Sequence, residues 1–131
     1  MTQKTIWVID DDPIYQIIIN KIILKSHVFS SSTSFINGKE ALNALKKVVD
    51  NSELLPDIIL LDINMPVMDG WGFMEEMQTI KSTINKQIIT YIVSSSIAIE
   101  DKNKSKTFSD IVGYISKPVT VNDLVSIVSN Q

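Results

Sequence analysis

The chain has 131 residues, 44% of them hydrophobic, with a formal charge of −3, one His and no Cys, and that length suits one domain with one core. The negative balance argues against a phosphate-backbone-binding surface as its main business. Absence of Cys excludes disulfides, thiolate catalysis and Cys-ligated zinc, and no apolar run reaches the roughly 18–20 residues of a membrane span.

Met1-Thr2-Gln3-Lys4-Thr5 shows no signal-peptide pattern, so a cytoplasmic location is expected. Ile6-Trp7-Val8-Ile9 reads as a short strand ending in Asp10-Asp11-Asp12. Pro13 suits a first helical position with Asp12 as its cap. Ile14, Ile17, Ile18 and Ile22 recur at helical spacing and predict a helix over roughly 13–26. Val28 to Ser34 is a Ser-rich second strand. Asn37-Gly38 precedes a helix carrying Ala41, Leu42, Leu45 and Val48-Val49, which Asn51 to Pro56 breaks. Residues 57–62, Asp-Ile-Ile-Leu-Leu-Asp, read as a strand buried on both faces. Met65-Pro66-Val67-Met68-Asp69-Gly70 then turns the chain into a helix with Phe73, Met74, Met77 and Ile80 inside. Ile88 to Val93 is a fourth strand, followed by Ser94-Ser95-Ser96. Residues 97–108 read as a short polar helix whose Lys102, Lys104 and Lys106 form a solvated face. Ile111 to Ile115 is a last strand, ending in Ser116-Lys117-Pro118, and Thr120 caps a final helix through Leu124, Val125 and Val128.

Five strands alternating with five helices predict an α/β domain with a parallel sheet and right-handed crossovers. All C-terminal strand ends of such a sheet lie on one edge, beside the crevice where ligands bind. Here that edge carries Asp10, Asp11, Asp62, Ser94 and Lys117. Taken singly, each has a plain structural role. Acidic residues before a helix favour its dipole, Asp62 could be a cap, and Ser94 a turn residue. Converging from four strands, they suggest chemistry. Two carboxylates about 5 Å apart repel by roughly 3 kcal/mol at an effective dielectric of about 20. Three therefore call for a cation, and Mg²⁺ suits an all-oxygen donor set. A carboxylate beside Mg²⁺, a Lys and a hydroxyl suggests phosphoryl transfer onto the carboxylate itself. Nothing places His27 beside the crevice, and Trp7 and Trp71 read as packing residues.

The chain resembles the chemotaxis-type receiver domain of two-component response regulators over nearly its full length. The resemblance rests on Val8-Ile9-Asp10-Asp11-Asp12-Pro13, Leu61-Asp62-Ile63-Asn64-Met65-Pro66 with Met68-Asp69-Gly70, Val93-Ser94-Ser95, and Tyr114-Ile115-Ser116-Lys117-Pro118. It implies a flavodoxin-like doubly wound sheet of order 2-1-3-4-5. It implies Asp62 as phosphoacceptor, Asp11 and Asp62 as direct Mg²⁺ ligands, Asp10 acting largely through a metal-bound water, and Asn64 contributing its backbone carbonyl. Ser94 matches the switch hydroxyl, Lys117 the phosphate-pairing Lys, and Tyr114 the aromatic switch. Asn64 and Ser96 match positions that tune the access of water. Lys117-Pro118 matches a peptide bond that is often cis.

Residues 1–131 are then expected to form one receiver domain with no output domain, as a monomer or weak dimer. Its expected partners are a histidine kinase or histidine phosphotransfer protein and a downstream protein, with neither nucleic acid nor membrane. Ser94 departs from the common Thr, and the segment 97–111 lacks the usual Ala/Gly-rich stretch. A Mg²⁺-dependent aspartyl-phosphate phosphatase is an alternative. That class uses a general acid two residues after the nucleophile, and Asn64 cannot serve. A receiver that works without phosphorylation is a second alternative, against which the complete set of site residues argues.

Overall fold

The computed structural model describes residues 3–65, 67–95 and 99–130, so Pro66 and Ser96 lie outside the described residues. Strands β1 (Lys4–Ile9), β2 (Phe29–Phe35), β3 (Ile58–Leu61), β4 (Ile89–Ser94) and β5 (Ile111–Ser116) alternate with five helices. These are α1 (Pro13–Ser26), α2 (Gly38–Lys47), α3 (Gly70–Ile80), α4 (Ile99–Ser105) and α5 (Val121–Ser129), with a short 3-10 turn at Lys81–Thr83. The strands form one parallel sheet of order β2-β1-β3-β4-β5. The order reverses between β1 and β3, which opens the crevice at their C-terminal ends.

Alternation of side chains sorts the central strands into two cores. Ile6, Val8, Ile58 and Leu60 pack with Ile19, Ile23, Leu124 and Ile127 beneath α1 and α5. Trp7, Ile9, Ile59 and Leu61 pack with Ala41, Leu45, Phe73 and Met74 beneath α2 and α3. Every residue of β3 is buried, as a strand covered on both faces requires. Trp7 packs against Phe35 with tilted rings whose centroids lie 4.7 Å apart, and Trp71 stacks on Phe108 at 6.1 Å.

Caps set the helix starts. Asp12 Oδ1 accepts the Ile14 and Tyr15 N–H groups at 2.9 and 3.3 Å. Asn37 caps α2 through Glu40 N–H, and Asp69 caps α3 through Gly72 N–H. Thr120 and Asp123 form a reciprocal capping box on α5. Helix α4 ends at Ser105, before the end of the 97–108 segment. The Ser105 and Thr107 hydroxyls donate back to the Lys102 and Lys104 carbonyls at 2.7 Å each, closing its last turn.

Helix α1 spans Pro13–Ser26, as the spacing predicts. Ile14, Ile17 and Ile18 are exposed, while Gln16, Ile19, Ile23 and Ser26 form the buried stripe. The helix is apolar nearly all round, so hydropathy alone does not choose a face. Gln16 makes the choice: its Nε2 donates to the Asp10 and Phe35 carbonyls at 2.9 and 3.0 Å, tying α1 to the ends of β1 and β2. Among the described residues, no helix is long and apolar enough to cross a membrane.

Candidate functional site

Main-chain bonds just beyond the strands fix the site. Asp10 N–H donates to Phe35 O, Asp62 N–H to Ile9 O and Lys117 N–H to Ser94 O, each at 3.0 Å. The sheet ladder thus delivers Asp10, Asp62, Ser94 and Lys117 to one edge. Asp10 and Asp62 are buried, at 2% and 8% exposure, and Asp11 is exposed. A carboxylate oxygen from each of Asp10, Asp11 and Asp62 lies within 4.8 Å of the others.

Behind Asp62 the chain turns without room for a side chain. Gly70 N–H donates to Ile63 O at 2.8 Å, and a Cβ on Gly70 would stand 2.6 Å from the Asp62 carbonyl oxygen. Between them, Val67 adopts φ 70°, a conformation that a β-branched residue rarely takes. The Lys117–Pro118 peptide is cis.

Lys117 Nζ donates to Asp10 Oδ2 at 2.8 Å. Asp10 Oδ1 accepts the Asp12 N–H at 2.9 Å. Burial, and then the Asp10 charge, push the Asp62 carboxyl up to about 6; Asp11 adds to this, while Lys117 and the Asn64 backbone N–H oppose it. A divalent cation would relieve that crowding. Hard oxygen donors about 2.1 Å from Mg²⁺ lie roughly 3–4 Å apart, so the three carboxylates fit such an ion after a small contraction.

Of the remaining expected residues, Ser94, Asn64 and Tyr114 are described. Ser94 is buried at the end of β4. The Asn64 side chain is exposed in the β3–α3 loop. Tyr114 sits on β5, partly exposed, with its hydroxyl hydrogen-bonded to Ser105 and 3.1 Å from the Lys102 carbonyl oxygen of α4. The Lys102 ammonium lies 5.9 Å from its ring centroid. Asp12 serves as the predicted cap. Two residues near the crevice went unsingled in the sequence. A lone amide among isoleucines was the available signal for Gln16. Tyr15 carried none, because the Lys117 ammonium 4.3 Å from its ring centroid belongs to a residue about 100 positions away in the chain.

A family model described as the response regulator receiver domain matches residues 6–129. The chain belongs to this receiver family. Among solved structures, a two-component response regulator from Cytophaga hutchinsonii is similar at TM-score 0.86 and 28% identity, with both chains covered fully. The receiver domain of the histidine kinase CKI1 from Arabidopsis thaliana, solved in complex with Mg²⁺, shares the fold at TM-score 0.82 and 21% identity, over 98% of this chain and 92% of that one. The transcriptional regulator NtrC of Escherichia coli strain K12 is 25% identical over 128 residues, covering 98% of this chain. This receiver spans 24% of the NtrC length. Phosphorelay signalling through an aspartate is a general feature of receivers.

Proposed function

We propose that this receiver is a phosphorylation-dependent switch that takes a phosphoryl group onto Asp62 from a histidine kinase or histidine phosphotransfer protein. The carrying observation is the clustering of Asp10, Asp11 and Asp62 within 4.8 Å, with Lys117 already bonded to Asp10. Asp10, Asp11, Asp62 and the Asn64 carbonyl would hold Mg²⁺, and the Mg²⁺ complex of the Arabidopsis receiver supports that choice. When bound, the ion supplies positive charge that offsets the crowded carboxylates and the incoming phosphoryl oxygens.

An Asp62 oxygen attacks phosphorus, the P–N bond to the donor imidazole breaks, and the imidazole leaves with the electron pair and takes up a proton. Lys117 pairs with one phosphoryl oxygen as charge builds. Ser94 donates to another. The product carries about −1.5 to −2 charge and several strong acceptors at a formerly crowded carboxylate. Ser94 then moves toward it and Tyr114 repacks, altering the α4–β5–α5 face that a downstream protein reads. Asn64 borders the approach of water to the acyl phosphate. Asn64 cannot protonate a leaving group, which favours a switch over a turnover phosphatase.

Fluoroberyllate, an analogue of the bound phosphoryl group, tests the switch. With Mg²⁺, it is expected to shift the NMR signals of Ser94 and Tyr114 as well as those beside Asp62. Shifts confined to the acidic residues would contradict the switch.

A further inference from the structure

Lys117 has a second contact besides Asp10. Its ammonium lies 4.3 Å from the centroid of the Tyr15 ring. Tyr15 is the third residue of α1, and its backbone N–H is held by the Asp12 cap at 3.3 Å. The helix that follows the acidic turn thus also places an aromatic face against the site's ammonium. The Tyr15 hydroxyl is buried and has no hydrogen-bond partner among the described residues.

We infer that Tyr15 is a positioning residue for phosphoryl transfer, whose ring holds the Lys117 ammonium in the crevice while its hydroxyl contributes nothing. The inference rests on the function proposed above. A lysine has a flexible four-carbon stem, and the Lys117 main-chain N–H to Ser94 O fixes the backbone but not the ammonium. The Asp10 contact cannot hold the ammonium throughout, because an arriving phosphoryl oxygen competes with Asp10 for it. The ring face does not take part in that competition, so its attraction persists before and after transfer. Burial, then the Asp10 and Asp62 charges, push the Tyr15 phenol further above its ordinary range, so it stays protonated and neutral. An unpaired buried hydroxyl is a cost rather than a support, which assigns the role to the ring.

The test compares initial rates of Asp62 labelling by acetyl phosphate at saturating Mg²⁺. Tyr15→Phe keeps the ring and is expected to label at the wild-type rate. Tyr15→Leu is expected to label about five- to tenfold more slowly, the scale of one partly desolvated cation–π contact. In a Lys117→Ala background, Tyr15→Leu should add no further loss, because the ring then has nothing to hold. Far-UV circular dichroism confirms that each variant is folded. A wild-type rate for Tyr15→Leu overturns the inference, as does an equal loss in Tyr15→Phe, or a Tyr15→Leu loss that persists in the Lys117→Ala background. Failure of the wild type to label overturns both the proposed function and this role. Normal wild-type labelling with any of the other contrary results overturns the Tyr15 role alone.

Discussion

At the residue scale, Asp62 shows how a reactive group is prepared at the expense of stability. Its carboxyl is raised from an ordinary 3.8 to about 6. Between about pH 4 and 6 the folded chain therefore binds a proton that the unfolded chain has released, so stability falls as pH rises through that window. Asp57 has the opposite sign. Burial alone would raise it, but Thr5 and Lys86 outweigh burial and lower it, so its contribution is present at neutral pH and lost on acidification. Asp62→Asn removes the first effect. In metal-free buffer it is expected to raise unfolding free energy at pH 7 by on the order of 2 kcal/mol and leave it nearly unchanged at pH 4. Urea unfolding at the two pH values checks this, and equal gains at both would contradict the raised carboxyl.

At the element scale, α4 and β5 are joined by Tyr114, whose hydroxyl reaches Ser105 and the Lys102 carbonyl. Ser105 is buried, and its own hydroxyl donates to Lys102 O at 2.7 Å. These bonds favour the resting position of Tyr114. Ser105→Ala removes the Tyr114–Ser105 bond along with Ser105's own bond to Lys102 O, and losing the first costs that state about 1 kcal/mol. Under the proposed switch it should tighten fluoroberyllate binding about three- to fivefold, read by titration calorimetry with Mg²⁺ present. Unchanged affinity would show that Ser105 does not restrain Tyr114. This contact was not legible in the sequence, because α4 is polar and its end is set by hydroxyls rather than by periodicity. Helix α1 teaches a related lesson. Its existence followed from Asp12, Pro13 and the isoleucines, but its inward face followed from Gln16, a polar residue recruited to cap strand carbonyls. Ile14, Ile17 and Ile18 are exposed.

At the scale of the whole molecule, the sheet order was legible through resemblance, and the edge carrying the site through the alternation of elements. Asp10, Asp11, Asp62, Ser94 and Lys117 each end a strand that the pattern of apolar runs marks out, so the parallel sheet gathers them without any local signal. The details of contact were not legible. That Lys117 rests on Asp10 and on the Tyr15 ring depends on bringing together segments about 100 residues apart. The turn behind Asp62 was visible as Asp69-Gly70, but its physical reason is the close approach of Gly70 to the Asp62 carbonyl. The account as a whole stands on Asp62 as acceptor. Acetyl phosphate and Mg²⁺ are expected to add one hydroxylamine-labile phosphoryl group, mapped by mass spectrometry to Asp62, with no label on Asp62→Asn. Label that persists on Asp62→Asn, or that maps to Ser94 in the wild type, would contradict it.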